Sequence, residues 1–283
     1  MAVALVMIGC SSPDARIAVG QTPSPTPSPT ETPGPELRFA AIGDFGSGWP
    51  VQREVAQSMC KWRERRPFDV VVTTGDNIYP NGAPRYFQEK FFDPYDCLLS
   101  DGVQFHASLG NHDYLTRRGR PEINEAAFGM SKRNYVLRRD GVRFVVADSN
   151  RLDREWLSDA TRARPLDRWT IVVFHFPVFS PGTIRGSTPG YRPDLPRLFA
   201  RRGVDLVLNG HDHLYAVTKP MRRIRYVVTG GGGGGLYPCG DAWFSARCSS
   251  RYHFLYVVAS PTELRVKAVG TDGVFHRFST TGR

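Results

Sequence analysis

The sequence predicts an α/β fold in which a largely parallel β-sheet with covering helices is followed by an antiparallel-rich sheet packed on it. Short apolar runs recur from Leu37 onward, and helical stretches separate the first of them. After His213, strand patterns follow one another with no helix between.

The first strands are expected at 37–42, 69–74, 103–109, 170–174 and 204–208, each running into a polar cluster. Helices are expected at 51–65, 86–99, 151–160 and 195–202. Strands alternating with helices imply βαβ units, whose ligand crevice lies beyond the carboxyl ends of the strands. The clusters occupy those ends. Late strands are expected at 224–229, 253–260, 263–269 and 274–279. There is no internal repeat.

With 283 residues, 41% hydrophobic and 23% charged, the chain has the composition of an ordinary globular protein. The net charge of +10 comes from scattered arginines and not from a Lys/Arg block or basic helix, which argues against specific nucleic-acid binding. A basic surface also concentrates small phosphorylated substrates.

Residues 1–10 read as an export signal: 2–8 are apolar, too few to span a bilayer, and Met7-Ile8-Gly9-Cys10 resembles a bacterial lipobox with Cys10 as the acylated residue. No Lys or Arg precedes Arg16, so the basic start of such a signal is expected upstream. Residues 11–36 form a Pro/Ser/Thr-rich linker, extended and unable to build a core. Residues 37–283 are the expected catalytic domain. Protein on this plan is extracellular or at the cell surface, meeting the membrane only through a lipid on Cys10. Cys60, Cys97, Cys239 and Cys248 are even in number and lack CxxC spacing, which in an exported chain points to disulfides. Cys239 and Cys248 flank a short loop, but spacing does not fix the pairing.

Chemistry concentrates at the strand ends. In order, the clusters are Gly43-Asp44-x-Gly46, Gly75-Asp76-Asn77-x-Tyr79, Gly110-Asn111-His112-Asp113, Val172-x-x-His175 and Gly210-His211-x-His213. A single Gly-Asp or His after a strand is usually a turn or a satisfied polar residue; five in succession bring carboxylates and imidazoles together as a metal site requires.

As an ordered set these motifs resemble the calcineurin-like metallophosphoesterase superfamily, specifically its purple acid phosphatase (tartrate-resistant acid phosphatase-like) branch. The resemblance runs from about Leu37 to Gly235 and takes in Asp148-Ser149-Asn150 and Tyr226-Val227-Val228-Thr229-Gly230. Tyr79, three residues after Asp76, selects the branch. The resemblance implies a four-layer αββα sandwich of two mixed β-sheets flanked by helices. It gives a first metal Asp44, Asp76, Tyr79 and His213, and a second Asp76, Asn111, His175 and His211, with Asp76 bridging. A phenolate favours Fe(III) at the first site; imidazole, amide and carboxylate suit Fe(II), Zn(II) or Mn(II) at the second. Metal-bound hydroxide is then the expected nucleophile for in-line attack on a phosphate monoester. His112 is expected to steady the phosphate or protonate the leaving group, with Asp113 and Asp212 orienting the imidazoles.

The run Gly230 to Gly235 lacks the Lys and Ser/Thr of a P-loop and reads as close backbone approach to the crevice. His106, His253 and His276 read as structural. The stretch 114–120 departs from the His- and Asn-containing continuation of some small acid phosphatases. A phosphodiesterase or nucleotide hydrolase on the same core is the nearest alternative; a non-catalytic surface-binding protein is the rival from another class.

Overall fold

The computed structural model describes residues 1–5, 9 and 36–282. The lipobox-like Cys10 and linker residues 11–35 lie outside them. The chain divides into two units, Met1–Pro33 and Gly34–Arg283. In the first, residues 1–5 and 9 carry no regular secondary structure.

The second unit opens with β1 (Leu37–Ile42), α1 (Pro50–Arg65), β2 (Val70–Thr73), α2 (Asp93–Leu99) and β3 (Gln104–Ala107). Two short helices, α3 (Asn111–Tyr114) and α4 (Arg120–Asn124), lead to the hairpin of β4 (Tyr135–Arg139) and β5 (Val142–Val146). Then come α5 (Arg154–Ala160), β6 (Trp169–Val173), α6 (Leu195–Arg202), β7 (Leu206–Asn209), β8 (Tyr215–Thr218) and β9 (Arg225–Thr229). β10 (Ser245–Ser249), β11 (His253–Ala259), β12 (Glu263–Gly270) and β13 (Gly273–Thr281) complete it. No described helix is long and apolar enough to cross a membrane.

The strands form two mixed sheets, ordered β13-β12-β11-β1-β2-β3 and β10-β8-β9-β7-β6-β5-β4. This corrects the expected division into an early parallel and a late antiparallel sheet. β11 pairs antiparallel with β1 and extends the first sheet, while β9 joins β7 in parallel in the second. The first sheet is therefore parallel on its β1-β2-β3 side and antiparallel on the other, and the second has a parallel centre with antiparallel flanks. The β4–β5 hairpin and strands β8 and β10 were not expected. For the hairpin the signal exists: Asp140-Gly141, both at positive φ (46° and 79°), form the two-residue turn between β4 and β5.

Strand alternation builds the layers. Phe144, Ile171 and Leu208 face the first sheet, and Phe39 meets Phe144 edge-on with centroids 4.9 Å apart. Val145, Val172 and Val207 point the other way, onto Leu157 of α5 and Leu195 and Phe199 of α6. Val55 and Met59 of α1 and Leu98 of α2 join the core of the first sheet. The result is the αββα sandwich. Cys60 pairs with Cys97 and Cys239 with Cys248, Cα atoms 6.2 and 6.0 Å apart. The first joins α1 to α2 across 37 residues and, by chain entropy, stabilises by about 4 kcal/mol.

Candidate metal centre

The carboxyl ends of β1, β2, β3, β6 and β7 supply the loops of the site. Gly110 leaves no room for a Cβ against Asp76, so the second and third loops touch directly. Asp44, Asp76 and His211 adopt left-handed backbone conformations (φ 56°, 52° and 70°). Three such residues at one centre mark strain held by the surrounding fold, as functional sites often carry. Backbone bonds bind the loops together: Asp44 N to Gly75 O (3.0 Å), Tyr79 N to Gly46 O (2.9 Å) and Gly210 N to His175 O (2.9 Å).

The seven residues Asp44, Asp76, Tyr79, Asn111, His175, His211 and His213 converge as two groups sharing Asp76. Tyr79 Oη lies 3.1 Å from Asp76 Oδ2, 3.3 Å from Asp44 Oδ1 and 3.1 Å from His213 Nε2. His175 Nε2 lies 3.0 Å from Asn111 Oδ1, 3.2 Å from His211 Nδ1 and 3.5 Å from Asp76 Oδ2. Asp44, Asp76 and His175 are buried and place ligand atoms within 4.8 Å of one another.

Backbone carbonyls fix the imidazoles. His175 Nδ1 donates to Thr74 O (2.9 Å), His213 Nδ1 to Gly235 O (2.7 Å) and His112 Nδ1 to Pro80 O (2.7 Å). In the neutral tautomer each Nε2 is then a bare lone pair. His175 Nε2 and Asn111 Oδ1 thus confront each other as two acceptors with no hydrogen between. That arrangement fits a cation.

The charges agree. Burial pushes Asp76 up to about 6 against the pull of His175. Burial lowers His211 to about 3, and burial beside the Asp44 and Asp76 charges holds the Tyr79 phenol well above its usual range. Burial opposes ionisation of Asp44 too, but the His213 hydrogen bond together with the His175, His213 and His211 charges outweighs it and leaves Asp44 lowered. Such a site keeps the Tyr79 proton until a cation replaces it and leaves the His211 imidazole neutral, as a ligand must be.

His112 stands at the edge, its imidazole one-third exposed. Its backbone N–H donates to Asp76 Oδ1 (2.8 Å) and its Nε2 is 3.9 Å from Asp76 Oδ2. Asp113 and Asp212 do not meet the expectation that they orient imidazoles. Asp113 accepts the backbone N–H groups of Gly110, Asn77 and Ile78 at 2.8, 3.1 and 3.1 Å. Asp212 accepts from Ser180 Oγ and from the N–H groups of Arg185 (3.3 Å) and Gly186 (2.9 Å). Both carboxylates brace loops, because the backbone carbonyls have already taken the ring N–H groups. A carbonyl carries no side-chain signature, so sequence reasoning missed those partners. It also missed Tyr237, stacked on His213 with centroids 4.3 Å apart.

The glycine run does approach closely. A Cβ at Gly230 would meet Asp44 and Asp212, one at Gly232 the loop of Gly43 and Phe45, and one at Gly234 the His213 ring. None of the six has positive φ, so what these positions need is the missing side chain and not conformational freedom. His253 and His276 hydrogen-bond Thr229 Oγ1 (3.1 Å) and Tyr215 Oη (2.7 Å), and His106 lies 3.3 Å from Gly129 O, all away from the centre.

Acid, phenol, amide and imidazole donors gathered at the strand ends of a two-sheet sandwich place the chain among the metal-dependent phosphoesterases. It belongs to the calcineurin-like phosphoesterase family, matching the family's model over residues 37–215. It is similar to purple acid phosphatase 17 of Arabidopsis thaliana, 29% identical over 235 residues that cover 69% of this chain and 68% of the relative. To tartrate-resistant acid phosphatase type 5 of Mus musculus it is 25% identical over 245 residues, 71% of this chain and 73% of the relative. The solved structure of purple acid phosphatase PPD1 from yellow lupin (Lupinus luteus) seeds superposes with a TM-score of 0.76 at 18% identity, over 88% of this chain and 54% of that one. This chain thus spans about half the length of the lupin enzyme. GAP50, the anchor in the inner membrane complex of Plasmodium, gives 0.72 at 18% identity, over 88% and 89%. At these identities the structures speak for the fold.

Proposed function

We propose that the chain hydrolyses phosphate monoesters at two metal ions. Asp44, Asp76, Tyr79 and His213 hold the first, and Asp76, Asn111, His175 and His211 the second. The observation that carries this reading is the shared carboxylate: Asp76 Oδ2 lies 3.1 Å from Tyr79 Oη and 3.5 Å from His175 Nε2, so it touches both groups of donors. The phenol supports Fe(III) at the first site, since a buried Tyr79 beside two carboxylates gives up its proton only to a hard, highly charged ion. Fe(II), Zn(II) or Mn(II) suits the imidazole-rich second.

Held by these residues, two ions would supply an acidified water and charge to offset the phosphate oxygens during in-line displacement. The chain supplies the rest. The Gly235 and Thr74 carbonyls keep His213 and His175 aimed, and Asp76 holds the His112 backbone through its N–H. With Nδ1–H committed to Pro80 O, His112 presents Nε2 to the crevice, and it is through Nε2 that its imidazolium form would give a proton to the leaving oxygen.

The similarity to acid phosphatases favours monoesters over the diesters and nucleotides of the alternative reading. Purified protein is expected to cleave p-nitrophenyl phosphate faster than its bis ester; equal or greater turnover of the bis ester would overturn the monoester assignment. A purely binding role, such as the anchoring named for GAP50, fits poorly with a complete donor set. We further infer export and acylation at Cys10, supported by the apolar residues 2–8 and the two disulfides. Protein expressed from its native start should partition with membrane or detergent and Cys10→Ala should be released; equal partitioning would refute the anchor.

A further inference from the structure

Behind the centre lies a buried acid that the mechanism does not use. Glu122, on α4, is wholly buried. Its Oε2 accepts from Asn77 Nδ2 at 2.8 Å, while its Oε1 meets no N–H or O–H donor. The same Asn77 Nδ2 lies 2.8 Å from Ser108 O and 3.0 Å from Asp113 Oδ2. An amide nitrogen has two hydrogens, and here it faces three acceptors. Asp113 is already turned to the N–H groups of Gly110, Asn77 and Ile78.

Two buried carboxylates side by side with too few donors would be costly. A proton on Glu122, directed at Asp113, supplies the missing hydrogen and removes one charge. Burial first, then the charge and hydrogen bond of Asp113, hold the Glu122 carboxyl well above the usual carboxylate range, in the same direction.

The cluster joins two loops. Asn77 directly follows Asp76, and its Oδ1 takes the Thr73 hydroxyl at the end of β2. Ser108 and Asp113 bracket Asn111 and His112 after β3. Resting on the two-ion reading above, we propose that Glu122, as a neutral acid, is a positioning residue. With Asn77 and Asp113 it clamps the loop of Asp76 and Tyr79 to the loop of Asn111 and His112, and so sets the spacing of donors to both ions.

Glu122→Gln and Glu122→Met separate this role from simple packing. Glutamine can donate to Asp113 and accept from Asn77, whereas methionine fills the space without either bond. Metal retention against a graded chelator, turnover of p-nitrophenyl phosphate and thermal melting are read in parallel. The Gln variant should match wild type in metal affinity and kcat. The Met variant should stay folded but bind metal about 10- to 100-fold more weakly, the usual effect of losing an outer support of a metal site. A folded Met variant with wild-type metal affinity would overturn the proposal, whatever its melting temperature. So would a Gln variant that loses metal as readily as Met. If the Met variant does not fold, the Gln variant decides alone: wild-type affinity sustains the neutral clamp and a clear loss refutes it. Wild type with metal and turnover but indifferent variants would sink only this inference; wild type that binds no metal would sink the two-ion reading with it.

Discussion

Replacing Asp76 with alanine should lower kcat/KM for p-nitrophenyl phosphate by at least about 10³-fold, the several kcal/mol that metal-ion charge stabilisation supplies to such a transition state. No other side chain in the centre serves so many roles. Asp76 Oδ2 faces both donor groups, and Asp76 Oδ1 accepts the His112 N–H at 2.8 Å. Alanine would remove the shared ligand and free the backbone that carries the proton donor. The fold should persist, because relieving a buried carboxylate that burial already holds near 6 costs the apo protein little. Steady-state kinetics with metal content and circular dichroism measured on the same sample check this. A folded variant keeping more than about a tenth of wild-type kcat/KM would remove Asp76 from the bridging role.

Tyr79→Phe should change colour more than rate. With Fe(III) on the phenolate, wild type should absorb in the visible by ligand-to-metal charge transfer, and the variant should lose that band entirely. The fold should survive: the ring, packed 4.5 Å from that of His112, is kept and one hydroxyl is lost. Turnover should fall less than in Asp76→Ala, since Asp76 meets both donor groups and Tyr79 only one. His112→Ala should give the converse phenotype, a retained band with lost turnover, as befits a proton donor outside the ligand set. An unchanged spectrum in Tyr79→Phe would take the phenolate out of the centre.

Much of this was legible in the sequence, and unevenly so. The donors could be found because each follows a short apolar strand and glycine or another strand-end residue, and because β-strands place such ends along one crevice. Helices α1 and α6 were legible from their periodicity almost to the residue. Sheet membership was not. A strand's side-chain alternation records that it has a buried face but not its neighbour, so nothing in residues 253–259 announces that β11 pairs with β1 more than 200 residues earlier. Strand β8 is only four residues long, and the edge strand β10 is mostly polar, which weakens the same signal. Within the centre, the side chains were legible and their supports were not. The carbonyls of Thr74, Pro80 and Gly235 aim three imidazoles, yet any residue type at those positions offers a carbonyl. Asp113 and Asp212 looked like partners for histidine because they neighbour histidines in sequence, but in the fold their oxygens turn toward loop N–H groups.

Metal analysis of the purified protein, taken with its visible spectrum, bears most directly on the central claim. Two ions per chain should be found, one of them iron, with a purple or pink band and with hydrolysis of p-nitrophenyl phosphate that a strong chelator abolishes and added metal restores. Two zinc or manganese ions in a colourless active protein would contradict the ferric site alone. Undiminished hydrolysis by protein stripped of all metal would contradict the account itself.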